Sequence, residues 1–253
     1  MRDQYSKAQV SVWPDMDGLA REAASRFAER ARAAIAESGA FTVALSGGST
    51  PRLMYSMLAE GPYLSAAEWQ KIQFFWSDER CVPPDHPDSN YRMADQALLS
   101  RVHPPPEHVH RMEGENPAVA SAAAAYARKV RAVLDVFDET ETPRFDMILL
   151  GLGPDGHTAS LFPGSAALAE DKELVAANWV EKFTTWRLTM TTRLINHAAY
   201  VMFQAAGAEK AAPLREVLRG ENRPGVYPAQ LIRLIDGECD WLVDQAAASL
   251  LDK

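Results

Sequence analysis

The chain has 253 residues, with 26 Lys plus Arg against 34 Asp plus Glu and a net charge of −8. A chain of that size buries a substantial core, and no linker rich in Ser, Gly or charge divides it, so one domain over residues 1–253 is expected. The acidic balance argues against nucleic acid or anionic membrane as partners, and an anionic ligand would need a local positive site. Only two cysteines occur, Cys81 and Cys239, with no C-x-x-C, so neither a disulfide framework nor a zinc site is indicated and a reducing cytoplasm fits. The start, "MRDQYSKAQVSVWPD", has no apolar core of signal-peptide length, and no run approaches the roughly 18 to 20 apolar residues of a membrane span. A soluble, unexported, cytoplasmic protein is expected.

In chain order, the periodicity predicts a helix over Met16–Glu37, a strand over Thr42–Leu45 and a helix over Pro51–Leu58 with Thr50 as its N-cap. A strand over Ile72–Trp76 and a helix over Tyr91–Leu99, capped by Ser89 or Asn90, come next. The Ala-rich "AVASAAAAYARKVRAVL" is a helix over Ala118–Val136, with Asn116 as cap and Tyr126, Val130, Val133 and Leu134 on one face. Strands are then expected at Phe145–Leu150, Leu174–Val180, Arg187–Met190, Ala199–Phe203 and Leu231–Ile235, and helices at Glu209–Leu218 and Gln245–Leu250. There is no internal repeat. The alternation is α/β: a mainly parallel sheet covered by helices on both faces, with ligand sites beyond the carboxyl ends of its strands.

Three of those strand ends carry candidate chemistry. After Leu45 comes Ser46-Gly47-Gly48-Ser49-Thr50, where free N–H groups at a helix start, two glycines and hydroxyls make an anion cradle suited to a phosphate. It is not a Walker loop, and taken alone it is also what an ordinary strand-to-helix turn looks like. After Trp76 comes "SDER": the carboxylate pair Asp78 and Glu79, with Arg80, is placed to orient sugar hydroxyls and a catalytic group. After Leu150 comes "GLGPDGHTASLFPG", with a G-x-G-x-x-G at Gly151, Gly153 and Gly156. A dinucleotide fingerprint needs its third glycine to open a long helix and an acidic residue about 20 positions on, at the end of the next strand. Here Pro163-Gly164 interrupts the helix, and Glu170, Asp171 and Glu173 precede an apolar run instead of ending it. The glycines serve a sharp turn that presents Asp155 and His157 to one crevice. An imidazole, with an ordinary pKa of about 6.5, takes and returns a proton near neutrality. The plain alternative is that Asp155 caps a short helix and His157 is a loop histidine.

Two cations near strand and helix ends, Arg187 in "TTWRLTMTT" and Lys210 in "AAGAEKAAPL", are candidates to meet a dianionic phosphate; most such residues are solvated surface charges. The cluster Asp85, His86 and Asp88 matches no established metal-site spacing, and no metal or other cofactor is expected. His103, His108 and His110 read as surface or packing residues.

Together "LSGGSTP", "SDER" with "SNYRMA", "GLGPDGHTASLFPG", "RLTMT" with "IN", and "GAEKA" resemble, in order and approximate spacing over residues 40–235, the glucosamine-6-phosphate isomerase/6-phosphogluconolactonase family, and within it the lactonases. The resemblance implies a Rossmann-like three-layer α/β sandwich with the isomerase-like fold. It implies hydrolysis of 6-phospho-D-glucono-1,5-lactone to 6-phosphogluconate, the second step of the oxidative pentose phosphate pathway. It further implies His157 as catalytic base, with Asp155 and Asp78 beside it, and substrate or phosphate contacts from Ser46, Gly47, Gly48, Ser49, Thr50, Arg80, Arg187 and Lys210. A small sugar phosphate is the expected partner of a monomer or small homo-oligomer. The related isomerase/deaminases place a further carboxylate shortly after the "DGH" motif; this chain offers Phe162 there, which favours the lactonase. A non-catalytic sugar-phosphate sensor would keep the cradle but has no need of His157, and no DNA-binding helix pair or basic stripe accompanies it.

Overall fold

The computed structural model describes residues 8–251; the first seven residues of the stretch inspected for a signal-like core lie outside them. In chain order they form β1 (Ala8–Trp13), α1 (Met16–Ser38), β2 (Phe41–Leu45), α2 (Ser49–Glu60), α3 (Ala66–Trp69), β3 (Ile72–Trp76), β4 (Asp78–Arg80), α4 (Asn90–Ala94), α5 (Ser100–Val102), α6 (Val119–Val133), β5 (Met147–Gly151), β6 (Val175–Val180), β7 (Thr185–Met190), α7 (Thr192–Ile195), β8 (Tyr200–Ala205), α8 (Ala211–Arg219), β9 (Glu238–Asp244) and α9 (Gln245–Ala248).

Six strands make one sheet in the order β1-β9-β8-β5-β2-β3, and every neighbouring pair is parallel. Alternate residues of each strand face opposite layers. Phe41, Val43, Leu45, Phe74, Trp76, Met147, Leu149 and Met202 pack with Leu19, Ala23 and Phe27 of α1 and Met54 and Tyr55 of α2. Ala44, Phe75, Ile148, Leu150, Val201, Phe203 and Val243 pack on the other face with Tyr126 and Val130 of α6 and Leu214 and Val217 of α8. Helices therefore cover both faces of a parallel sheet, the three-layer arrangement expected from the alternation. The chain leaves β2 toward β3 in one direction and β5 toward β8 in the other, so the sheet changes winding between β2 and β5. In such sheets that is where ligands bind, beyond the carboxyl ends.

Local chemistry accounts for the helix limits. Asp15 caps α1 by accepting from the Gly18 N–H at 2.8 Å, and Gly39, at φ 87°, closes it. Tyr126, one of the four residues placed on the apolar face of α6, also accepts from the Trp76 N–H at 2.8 Å; Val133 and Leu134 lie partly buried against the same core. Two expected caps fall elsewhere. α2 begins at Ser49 with Gly48 in the cap position, so Thr50 lies inside the helix. Asn116 accepts from the Ala118 N–H at 3.0 Å, a turn that sets the chain up one step before α6 starts at Val119. The helix expected over Tyr91–Leu99 starts at Asn90 and runs through a π turn, Asp95–Leu99, into α5.

Three strand expectations change. Leu231–Ile235 is not a strand: Pro228–Leu231 is a 3-10 turn and Ile235 is 66% exposed. The strand lies just beyond, at β9, whose charged first residues hide the buried Trp241-Leu242-Val243 that anchors it. The edge strand β1 has no counterpart among the expected elements. Leu174–Val180 and Arg187–Met190 are strands, but of a second, antiparallel sheet in the order β4-β7-β6. That small sheet stands at the carboxyl end of β3 and closes one side of the crevice.

Candidate active site

A cavity of about 320 Å³ opens over the carboxyl ends of β2, β5 and β8, and Ser46, Gly47, Gly48, Ser49, Thr50, Asp78, Arg80, His157, Arg187 and Lys210 all line it. Ten of the eleven residues that the family resemblance names thus meet at one place. The eleventh, Asp155, lies behind His157 and lines a neighbouring cavity, so the expectation that both face one crevice is corrected.

The cradle owes its shape to its glycines. Gly48, at φ 113°, occupies backbone space that other residues rarely adopt, and a Cβ on Gly47 would sit 2.0 Å from Oδ1 of Asn90. Unlike α1, α2 has no side chain on its first N–H groups, which leaves them and the positive end of a twelve-residue helix directed at the cavity. Tyr55, nearly two turns into α2, accepts from the Ser46 N–H and donates to the Ser46 carbonyl, both at 3.0 Å. The loop is held from below by that one hydroxyl.

Asp78 and Glu79 do not act as a pair. Asp78 faces the cavity, accepting from Ser160 Oγ at 2.6 Å and Asn90 Nδ2 at 3.2 Å. Glu79 points away and is 2% exposed, accepting from the N–H groups of Arg80, Asn90 and Tyr91 and from Ser89 Oγ. Burial pushes its pKa up against those four bonds. Its work is to pin the start of α4, whose cap is Ser89, accepting from the Arg92 N–H at 3.1 Å; Asn90 is left for the cavity wall.

Antiparallel pairing sets Arg80 opposite Arg187, and neither forms an ion pair with a carboxylate among the described residues. Burial and the Arg80 charge lower the pKa of Arg187. Two guanidinium groups side by side, with no carboxylate in direct contact, repel each other, and an anion between them relieves that repulsion. Lys210 follows β8 in a 3-10 turn opened by Gly207, at φ 99°. Asp244 fixes that turn by accepting from the Gly207 N–H at 3.0 Å.

His157 sits in a tight loop with no helix after it, which removes the helix-cap explanation for Asp155. Gly153 donates to the His157 carbonyl at 2.8 Å, and a Cβ there would lie 2.0 Å from His157 Nδ1. Of the fingerprint glycines, Gly153 is thus required by folding the imidazole back over its own loop, whereas Gly156 sits at φ 74° against Tyr227. One face of the ring stacks on Phe162, centroids 4.0 Å apart. Nδ1 is hydrogen-bonded to Asp155 Oδ1, leaving Nε2 as the nitrogen free for chemistry. The other carboxylate oxygen of Asp155 accepts from Lys182 Nζ at 2.9 Å, at the tip between β6 and β7. Burial works to raise the pKa of Asp155, but the hydrogen bonds from His157 and Lys182 outweigh it and hold the carboxyl well below its ordinary range. Asp155 is therefore charged throughout the neutral range.

Asn90, Ser160, Lys182, Phe183 and Gln204 join the site without having been singled out from the sequence for it. Asn90 stood in the "SNYRMA" motif, but only as a cap. Asp85, His86 and Asp88 lie on the surface, with His86 Nδ1 3.8 Å from the Asp88 carboxylate, and no group of three metal-ligating side chains exists among the described residues. His110 is a packing residue: it bonds Gln73 at 2.7 Å and lies against Phe75, and burial pushes its pKa down to about 4. No helix among the described residues is long and apolar enough to cross a membrane.

The family model for glucosamine-6-phosphate isomerases/6-phosphogluconolactonase matches residues 14–241. The chain is 43% identical over 246 residues to the 6-phosphogluconolactonase of Synechocystis sp., covering 96% of this chain and 98% of that one. It is 39% identical to that of Nostoc sp., covering 97% and 99%. Among solved structures, 6-phosphogluconolactonase from Trypanosoma cruzi superposes with a TM-score of 0.86 at 32% identity, covering 98% of each chain. A monomeric glucosamine-6-phosphate deaminase shares the fold, with a TM-score of 0.80 at 21% identity over 96% of this chain and 99% of that one.

Proposed function

The chain belongs to the family of glucosamine-6-phosphate isomerases and 6-phosphogluconolactonases, and from that premise we propose that it hydrolyses 6-phospho-D-glucono-1,5-lactone to 6-phosphogluconate in the pentose phosphate pathway, with His157 activating the attacking water. The observation that carries this reading is the free Nε2 of an Asp155-held imidazole, stacked on Phe162, in the same cavity as an uncapped helix start and three cations. The reaction is assigned to the cytoplasm, with the chain acting as one domain.

The lactone carbonyl is an activated ester and needs no nucleophilic side chain. The phosphate seats on the cradle and on Arg187 and Lys210, and this remote binding energy positions the ring. Water attacks C1 as Nε2 takes its proton, giving a tetrahedral oxyanion and an imidazolium whose charge Asp155 offsets. Arg80 or a backbone N–H receives the oxyanion. The C1 to ring-oxygen bond then breaks, Nε2 returns the proton to the departing oxygen, and the carboxylic acid ionises. Asp78, fixed by Asn90 and Ser160, is assigned to orient a sugar hydroxyl.

Isomerising deamination, by contrast, moves a proton between sugar carbons and needs acid–base groups on both sides of an opened chain. Phe162 occupies the side of His157 where one of these would stand. The deciding experiment follows both reactions with the same preparation. Lactone disappearance should exceed the spontaneous rate, and glucosamine 6-phosphate should yield no detectable ammonia even at high enzyme concentration. Enzyme-dependent ammonia without lactone hydrolysis would reverse the assignment.

The cations give a second expected result. Arg187→Ala or Lys210→Ala should weaken 6-phosphogluconate binding roughly 10- to 100-fold, the loss expected for a charge-assisted hydrogen bond, while hardly changing binding of unphosphorylated gluconate. Calorimetric titration measures both. Equal losses for the two ligands would mean that these residues do not face the phosphate.

A further inference from the structure

All six residues of β8 are buried, and its centre is apolar except at Gln204, which is 2% exposed. Gln204 pairs with Gly151 on β5 and Leu242 on β9. Its Nε2 lies 3.3 Å from Met54 Sδ. A thioether only accepts, so the N–H end of the amide belongs there. Its Oε1 has no hydrogen-bond partner among the described residues. An unsatisfied buried acceptor costs roughly 1–3 kcal/mol, and beside Met54 an apolar side chain would avoid that cost. Gln204 lines the cavity that holds the cradle and His157. Gly151, its neighbour on β5, also lines that cavity, and a Cβ there would meet nothing within 4 Å. Ser46 Oγ and Thr158 Oγ1, on the same cavity, are buried and unpartnered as well. Such groups, gathered at one place, point to a ligand that completes them.

We propose that Gln204 is a specificity-determining residue whose Oε1 accepts a hydrogen bond from a hydroxyl of the bound sugar acid or lactone. The free atom is an acceptor, so its partner is a donor; a phosphate dianion has no proton to offer and belongs to the N–H-rich cradle. The proposal rests on the sugar-phosphate reading of the site. It differs from the roles given to Arg187 and Lys210 in reading the sugar instead of the charge.

The test uses Gln204→Leu, with Gln204→Met as a second variant of similar length. Relief of the unpaired acceptor should raise the ligand-free melting midpoint by about 2 °C. The same change should weaken 6-phosphogluconate binding about 10-fold, while the affinity for inorganic phosphate stays within about twofold. A lower midpoint with unchanged 6-phosphogluconate affinity, or failure of both variants to fold, would make Gln204 a structural residue and overturn the proposal. A parallel loss of phosphate affinity would place the amide in the cradle and overturn it equally. These measurements do not depend on turnover: a wild-type protein that binds 6-phosphogluconate without hydrolysing the lactone defeats the lactonase reading and leaves the Gln204 result intact.

Discussion

His157→Ala should lower kcat by about 10² to 10⁴ while leaving 6-phosphogluconate affinity nearly intact, the signature of losing a general base and not a binding group. The geometry leaves no obvious replacement. Both oxygens of Asp78 already accept, from Asn90 and Ser160, and Asp155 lies outside the cavity, held by Lys182. In the proposed reading the phosphate seats on the cradle, Arg187 and Lys210, none of which is hydrogen-bonded to His157, which is why affinity should survive. The imidazole is 21% exposed, so truncation opens an existing crevice and does not hollow the core, although Phe162 loses its stacking partner. A melting curve alongside the rate measurement separates the two effects. Because the lactone opens spontaneously, the residual rate is meaningful only after subtraction of the uncatalysed reaction. A fully active, well-folded His157→Ala protein would remove His157 from the mechanism.

The parts of this molecule that could be read in the sequence are those whose causes are local. β3 agrees with its expected limits residue for residue because four of its five residues, Ile72, Phe74, Phe75 and Trp76, are apolar and fully buried, with only Gln73 polar and partly exposed. The cradle and the His157 loop were legible for a different reason: Gly47, Gly48 and Gly153 stand where a side chain would collide or the backbone would be strained. β4 is a three-residue strand made of Asp, Glu and Arg, and no pattern of hydrophobicity could mark it. Yet it sets Arg80 opposite Arg187, a contact across more than a hundred residues. Asp78 and Ser160 meet over a separation of 82, and Asp155 and Lys182 over 27; their partners are fixed by the sheets and not by neighbours in the chain. Glu79 shows the converse error, since two adjacent carboxylates on a strand point to opposite sides and cannot serve one site. Gln204 did carry a local signal, as the one amide in the apolar run "AYVMFQAA", but a polar residue in a strand acquires meaning only once both faces are known to be buried.

Asp155→Asn should lower kcat by about 10² or more, and should be at least as damaging as Asp155→Ala, although the amide keeps the shape of the carboxylate. In the wild-type site Asp155 Oδ1 meets His157 Nδ1, so the proton of a neutral imidazole resides on Nδ1 and the Nε2 lone pair faces the water. The second oxygen accepts from Lys182 Nζ at 2.9 Å. An asparagine has one oxygen for two donors, and a lysine ammonium can only donate. The amide oxygen therefore turns to Lys182 and its NH₂ to Nδ1, which must then accept, and the ring proton moves to Nε2. That is the wrong tautomer for a general base; in serine proteases the equivalent change costs about 10⁴ in kcat. Alanine removes the tautomer bias without reversing it, which is why it should be no worse. The same logic makes the loss partly reversible. With Lys182→Met added, the donors left to the asparagine oxygen are those of His157, whose backbone N–H lies 3.4 Å from Oδ1, so the amide turns back and kcat should recover by several-fold over Asp155→Asn alone. Rates for the three variants, each with a melting curve, decide it. An Asp155→Asn enzyme with near wild-type kcat, or one that Lys182→Met only impairs further, would show that Asp155 does not govern the protonation of His157.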